Sequence, residues 1–259
     1  MAKPKKSDRT DRQKVIDDIR RKQRRAGNRQ GTVIVTICVI VAVVIIGAAA
    51  YKPIKGWIDN QKYRGKSLDQ IGAAASVCKP VVTRTATAAQ QHVPEGTTVT
   101  YDDAPPAFGK HWNVPGIAPA PIDQRFYTAS DTLPLEVLVH NLEHGFTILW
   151  YDDTAAKNST FMDQIQAIAK DLDANDTNNR LSFKAVPWTS KDIQQIKGHK
   201  TFPAGEHIAF SHWTAGGNNK SLGVWQYCSA PSGAALADFM NKYPYTDAPE
   251  PIGGAAMSQ

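Results

Sequence analysis

Residues 32–50, TVIVTICVIVAVVIIGAAA, hold no charged side chain. A helix needs about 20 apolar residues to cross a hydrocarbon core at 1.5 Å rise per residue, so this run is long enough to span a bilayer. No charged residue interrupts its circumference, which argues against the core helix of a soluble domain. The 31 residues before it carry twelve Lys/Arg against four Asp, a net of +8. Because the whole chain is +6, the remaining 228 residues carry −2. By the positive-inside rule the N-terminus is expected in the cytoplasm. A cleavable signal peptide competes with this reading, since Ala48, Ala49 and Ala50 are small residues at the right end. The basic segment is too long and the apolar run exceeds the usual 7–15 residues, so an uncleaved signal-anchor is expected. The expected division is a cytoplasmic tail 1–31, a span 32–50, a stalk 51–75, an extracytoplasmic domain 76–245 and a flexible tail 246–259.

The basic pI describes the tail, so it is no argument for nucleic-acid binding by the outer domain. Around Val15, Ile16 and Ile19 the tail alternates charges and is expected to attract anionic lipid headgroups. No aromatic residue or motif there supports a nucleic-acid partner. Outside the membrane the setting is oxidising. Cys38 falls within the span, which leaves Cys78 and Cys228 with one possible pairing near the two ends of the domain.

Elements in the outer region are short and do not alternate regularly, and no period of 20–50 residues repeats. The class is α+β, with a mixed or antiparallel sheet and two main helices. Residues 97–102 (TTVTYD) alternate as a half-exposed strand, and 126–129 suggest a second short one. Residues 104–124 contain five prolines around Phe108, His111 and Trp112, which predicts a packed, functional loop. Phe161, Ile165, Ile168, Ala169 and Leu172 share one face of a helix, with Asn158, Ser159 or Thr160 as its cap. Residues 181–186 read as a strand, 192–196 as a helical turn, and 207–212 with 222–227 as strands joined by the turn TAGGNNKS. Residues 233–243 form a last amphipathic helix, and the end from Thr246 is expected to fray.

The stretch 135–153, LEVLVHNLEHGFTILWYDD, is the most informative of the outer region. Its apolar runs, 135–139 and 146–151, read as strands buried on both faces. Between them stand His140, Asn141, Glu143, His144 and Gly145. Burying such polar groups costs a few kcal/mol unless they find partners. His140-x-x-Glu143-His144 also matches an inverted zinc-hydrolase motif. On a helix, positions i and i+4 share a face, whereas on a strand they stand about 13 Å apart. One helical turn between the strands, stopped by Gly145, is therefore expected to bring His140 and His144 together. Such a turn is too short for a hydrolase scaffold, so Glu143 is expected to act structurally, with Asn141 and Gly145 shaping the turn. His111, carried by the Pro-rich loop, is the expected third member and His92 a fourth. His199, between lysines, reads as exposed, and His207 and His212 flank a strand. No nucleophile elbow, phosphate loop or dinucleotide fingerprint is present, and a serine hydrolase lacks a third partner.

The strings YDDAPPAFGKHW and LVHNLEHGFTILWY, behind a basic tail and one span, resemble a bacterial family common in actinobacteria. It consists of membrane-anchored outer domains of unknown function, number three-one-zero-five. The resemblance covers roughly residues 75–245, and its most specific part is HNLEHG. His111, His140 and His144 fall on the family's motif positions. The family commonly has Ser-Gly between the prolines and the histidine, where this chain has Ala107-Phe108-Gly109. Membership implies location and fold kinship but no reaction.

Three functional readings follow. The first is an outer domain that binds Cu or Zn through histidines, because all-imidazole sites suit those ions and disfavour Mg or Ca. The second is a non-catalytic envelope accessory or scaffold protein whose histidines knit the fold. The third, with least support, is a metal-dependent hydrolase.

Overall fold

The computed structural model describes residues 6–63, 65–172, 182–216 and 220–252. The chain forms two compact units, Met1–Gln61 and Lys62–Gln259. Helix α1 (Lys6–Lys62) runs through the tail, the apolar run and the first part of the expected stalk. Its window Val33–Ala50 is the one stretch among the described residues long and apolar enough to cross a membrane, and none of it is buried.

The second unit is α+β. Strands β1 (Val82–Thr85), β4 (Thr147–Tyr151), β5 (Phe183–Pro187), β6 (Ile208–Thr214) and β7 (Leu222–Cys228) form a mixed sheet in the order β1-β7-β6-β4-β5. Only β4 and β5 run parallel; the other pairs are antiparallel. Alternation along β4 places Leu149 and Tyr151 in one apolar layer and Ile148 and Trp150 in the other. The first layer takes α4 (Ser159–Asp171) and α6 (Gly233–Lys242); the second takes α2 (Leu135–Glu143) and the Pro-rich segment through Ala107 and Phe108. Covering both faces explains why every residue of β4 is buried. Short helices α3 (Asp153–Lys157) and α5 (Ser190–Gln194) complete the set, and Asn158 caps α4 by accepting from the Phe161 amide.

Cys78 and Cys228 form a disulfide. It joins the segment entering the sheet to the end of β7 and closes a separation of 150 residues.

Four expectations are corrected. Residues 135–139 are helical, the start of α2, not a strand. A continuous apolar run has the same look in a buried strand and in a helix buried all round. The discriminating signal was the spacing of Leu135, Leu138, Val139 and Leu142, which face the sheet together, while Val137 packs on Ala118 and Ala120. Residues 97–102 form no strand; Tyr101 alone pairs with Ile196, as Phe126 alone pairs with Ala185. The stalk does not extend to residue 75, because Ile71 is 2% exposed and belongs to the core that α6 covers. Finally, residues 246–252 are pinned rather than frayed: Glu250 and Ile252 donate their amides to the carbonyls of Glu143 and His144. Leu181, the centre of the turn after β6 (residues 217–219) and the tail from 253 lie outside the described residues.

Candidate metal centre

Three segments supply the site. Strands β2 (His92–Val93) and β3 (His111–Trp112) pair in parallel with His92 opposite His111, which sets the two rings side by side. Their centroids are 5.0 Å apart. Helix α2 supplies His140, Glu143 and, at its C-cap, His144. Positions three and four apart on a helix share a face, so His140 stands beside both Glu143 and His144. The Pro-rich segment is clasped to α2 by Asn141, whose side chain donates to Ala120 O at 2.9 Å and accepts from Ala120 N at 3.0 Å.

Gly145 ends the helix with φ +88°, and a Cβ there would run into the carbonyl of Tyr245. That positive φ and close approach suit glycine alone. It turns the chain from α2 into β4 and lets the C-terminal strap, residues 245–252, lie against the site.

His92, His111, His140 and Glu143 each offer a ligand atom, and these atoms all lie within 4.8 Å of one another. His111, His140 and Glu143 are buried, at 0–2% exposure; His92 is the exposed member. His144 lies outside that mutually close group but touches His140, Nε2 to Nε2, at 2.9 Å. Of the other histidines, His199 is exposed as expected. His207 pairs with Asp152, and both ring nitrogens of the buried His212 face backbone carbonyls.

The hydrogen bonds fix the tautomers. A carbonyl oxygen only accepts, so a ring nitrogen bonded to one must carry the proton. His111 Nδ1 donates to Gly109 O at 2.8 Å, His140 Nδ1 to Trp112 O at 2.5 Å and His144 Nδ1 to Glu250 O at 2.6 Å. Where such a ring is neutral, its lone pair sits on Nε2. His111 Nε2 stands 2.8 Å from Glu143 Oε2, yet the two are not aligned for a hydrogen bond and both remain buried without one. His140 Nε2 and His144 Nε2 meet at 2.9 Å, and with both rings neutral and Nδ1 protonated the two atoms are acceptors. His92 Nε2 lies 3.9 Å from the same Glu143 oxygen. Opposed acceptors repel, and a cation among them turns the repulsion into coordination.

Charge points the same way. Burial, and next the charges of His111 and His144, push His140 down to about 4, which disfavours a proton as the bridge. Burial alone pushes the Glu143 carboxyl up, but the His111 ring and the Gln90 amide outweigh it and hold the group below its ordinary value. Glu143 is thus an anion beside a His140 ring that resists protonation. Its second oxygen, Oε1, accepts from the Gln90 amide at 2.6 Å, so one oxygen is anchored and the other is free for a ligand. Glu143 accepts from the Gln90 amide of another segment rather than from its own turn, and it stands among the candidate ligands, a place the sequence did not suggest for it. The orienting carbonyls of Gly109, Trp112 and Glu250 and the Gln90 amide that anchors Glu143 were also missed. Only Gly109, two residues before His111, stood near enough in sequence to be a signal.

Fold and site together define an α+β domain with a buried histidine-carboxylate cluster of metal-ligating type. The family described as "Protein of unknown function (DUF3105)" matches residues 92–256, and the chain belongs to it. That match takes in His92, His111, all of α2 and the strap. No curated protein and no solved structure matches the chain.

Proposed function

We propose that this protein is a membrane-anchored, extracytoplasmic metal-binding protein that holds one Cu or Zn ion through His92, His111, His140 and Glu143. The observation that carries the reading is the convergence of buried ligand atoms: His111 Nε2 and Glu143 Oε2 stand 2.8 Å apart with no hydrogen bond, and Nδ1 of both His111 and His140 is held by a backbone carbonyl. Orientation of ligand histidines by backbone carbonyls is the usual outer-shell device at metal sites. The anchor is the apolar window of α1, with the basic tail on the cytoplasmic side against anionic headgroups; the disulfide favours an oxidising exterior for the second unit. The alternative, an envelope scaffold with purely structural histidines, requires protons to take the place of the ion.

Calorimetric titration of the full-length, metal-stripped protein in detergent tests the reading. One equivalent of Cu(II) or Zn(II) should bind, release protons at acidic pH and fail to bind the His111→Ala and His140→Ala variants. Equal binding by wild type and variants would favour the scaffold.

A further inference from the structure

Resting on the metal-binding reading, we propose that residues 87–93 are a lid over the centre, latched by Gln90, and that an ion enters and leaves where this lid carries His92. Access is the first ground. His111, His140 and Glu143 are 0–2% exposed. Helix α2 is clasped on one side by the Pro-rich segment through Asn141. The strap covers its end, where the Glu250 and Ile252 amides meet the last carbonyls. The His92 side chain is 35% exposed, so of the four candidate ligands it is the one that meets solvent.

The second ground is how lightly this segment is held. Before it, Ala86 donates its amide to Ser221 O; beyond it, Thr97 O accepts from the Trp112 indole. Between those anchors no residue from Thr87 to His92 is buried. The regular structure there is the two-residue pairing of β2 with β3. Segments with few buried apolar contacts open at far lower cost than the whole fold. Ala88 and Gln90 also hold φ of +64° and +58°, a left-handed conformation that residues with a Cβ keep only where the surroundings enforce it. Gln90 supplies the enforcement. Its backbone amide donates to Glu143 Oε1 and its side-chain amide to Glu250 Oε1, both at 2.6 Å. Both acceptors are carboxylates, and hydrogen bonds to an ionised acceptor are roughly twice as strong as neutral ones.

One motion therefore changes several parts of the centre. Breaking the bonds of Gln90 withdraws His92, releases the Glu143 oxygen that Gln90 anchors and unties the lid from the strap. With His92 on the lid and Glu143 on α2, a ligand shared by the two ties the lid shut. By reciprocity, whatever opens the lid weakens the site, and whatever fills the site closes the lid.

Hydrogen exchange and release kinetics of the full-length protein in detergent test this. Adding Zn(II) to the metal-stripped protein should slow exchange of the 87–93 amides at least about tenfold. Exchange there that ignores bound Zn(II) would overturn the proposal. Gln90→Ala keeps the backbone bond to Glu143 and removes the side-chain bond to Glu250. It should release Zn(II) to a chelator at least about tenfold faster than wild type. Glu250→Ala removes the same bond from its other end and should do likewise, and the double variant should be no faster than either one. Wild-type release rates in both single variants, or effects that simply multiply in the double variant, would overturn the latch and the lid with it. Should Cu(II) bind where Zn(II) does not, it replaces Zn(II) in both measurements. If neither ion binds wild type, the metal-binding reading falls together with this inference; binding without protection of 87–93 would sink the inference and leave that reading standing.

Discussion

At the scale of single residues, the site depends on groups that are costly to bury: His111 Nδ1, His140 Nδ1 and Glu143 Oε1 have backbone partners, while His111 Nε2 and Glu143 Oε2 have none but each other or an ion. Removing one ligand imidazole, as in His111→Ala or His140→Ala, should weaken metal binding by more than about 100-fold, beyond the 10–100-fold typical of outer-shell changes. The expected signature is loss of the metal-dependent rise in melting temperature, which for wild type at 100 times Kd corresponds to about 2.7 kcal/mol. Glu143→Gln keeps the shape and the bond from the Gln90 amide but removes the charge. It should leave the fold intact and lower affinity, which titration resolves from unfolding. Full retention of affinity would return Glu143 to a purely structural role. Lys184 is a separate case. It is fully buried, donates to Pro121 O and Gln124 O at 2.6 and 2.9 Å, and burial pushes it down to about 7. Between pH 7 and about 10.4 the unfolded chain binds the proton that the folded one has lost, so stability rises with pH across that window. Lys184→Met should flatten that rise in denaturant melts, and an unchanged slope would show that the amine keeps its charge when folded.

At the scale of elements, the outcome turns on how α2 ends. Gly145→Ala combines a left-handed backbone position with the Tyr245 carbonyl, and should destabilise by about 1 kcal/mol for the backbone alone and more for the clash. Because that clash displaces the strap, metal affinity should drop with stability; calorimetry of both quantities checks the link. The same element shows what was legible in the sequence. His140 and His144 were paired by their spacing and by apolar flanks that left the rings nowhere else to go. The helix itself was misread, because residues 135–139 are apolar at every position and a helix buried all round has no polar face to announce it. His92 and His111 were both named, but the pairing of β2 with β3 is two residues long and leaves no periodic trace. The strap was illegible because its bonds to the end of α2, from the amides of Glu250 and Ile252 to the carbonyls of Glu143 and His144, are backbone bonds, to which side-chain patterns are blind.

At the scale of the molecule, the disulfide is the main covalent constraint on the second unit. Closing a separation of 150 residues is worth about 5 kcal/mol in the chain-entropy model. Reduction, or the Cys78→Ser and Cys228→Ser pair, should lower denaturant stability by up to about that amount while leaving metal affinity unchanged at temperatures where the fold persists. Thiol labelling of the intact protein should reach Cys78 and Cys228 only after reductant is added. The central claim, however, concerns the ion. It is tested most directly by elemental analysis of the full-length protein, purified in detergent without a histidine tag and without chelator. The account predicts close to one equivalent of Cu or Zn in wild type and almost none in a His111→Ala/His140→Ala variant that still melts cooperatively. Metal-free wild type that also stays empty after exposure to excess Cu(II) and Zn(II) would contradict it.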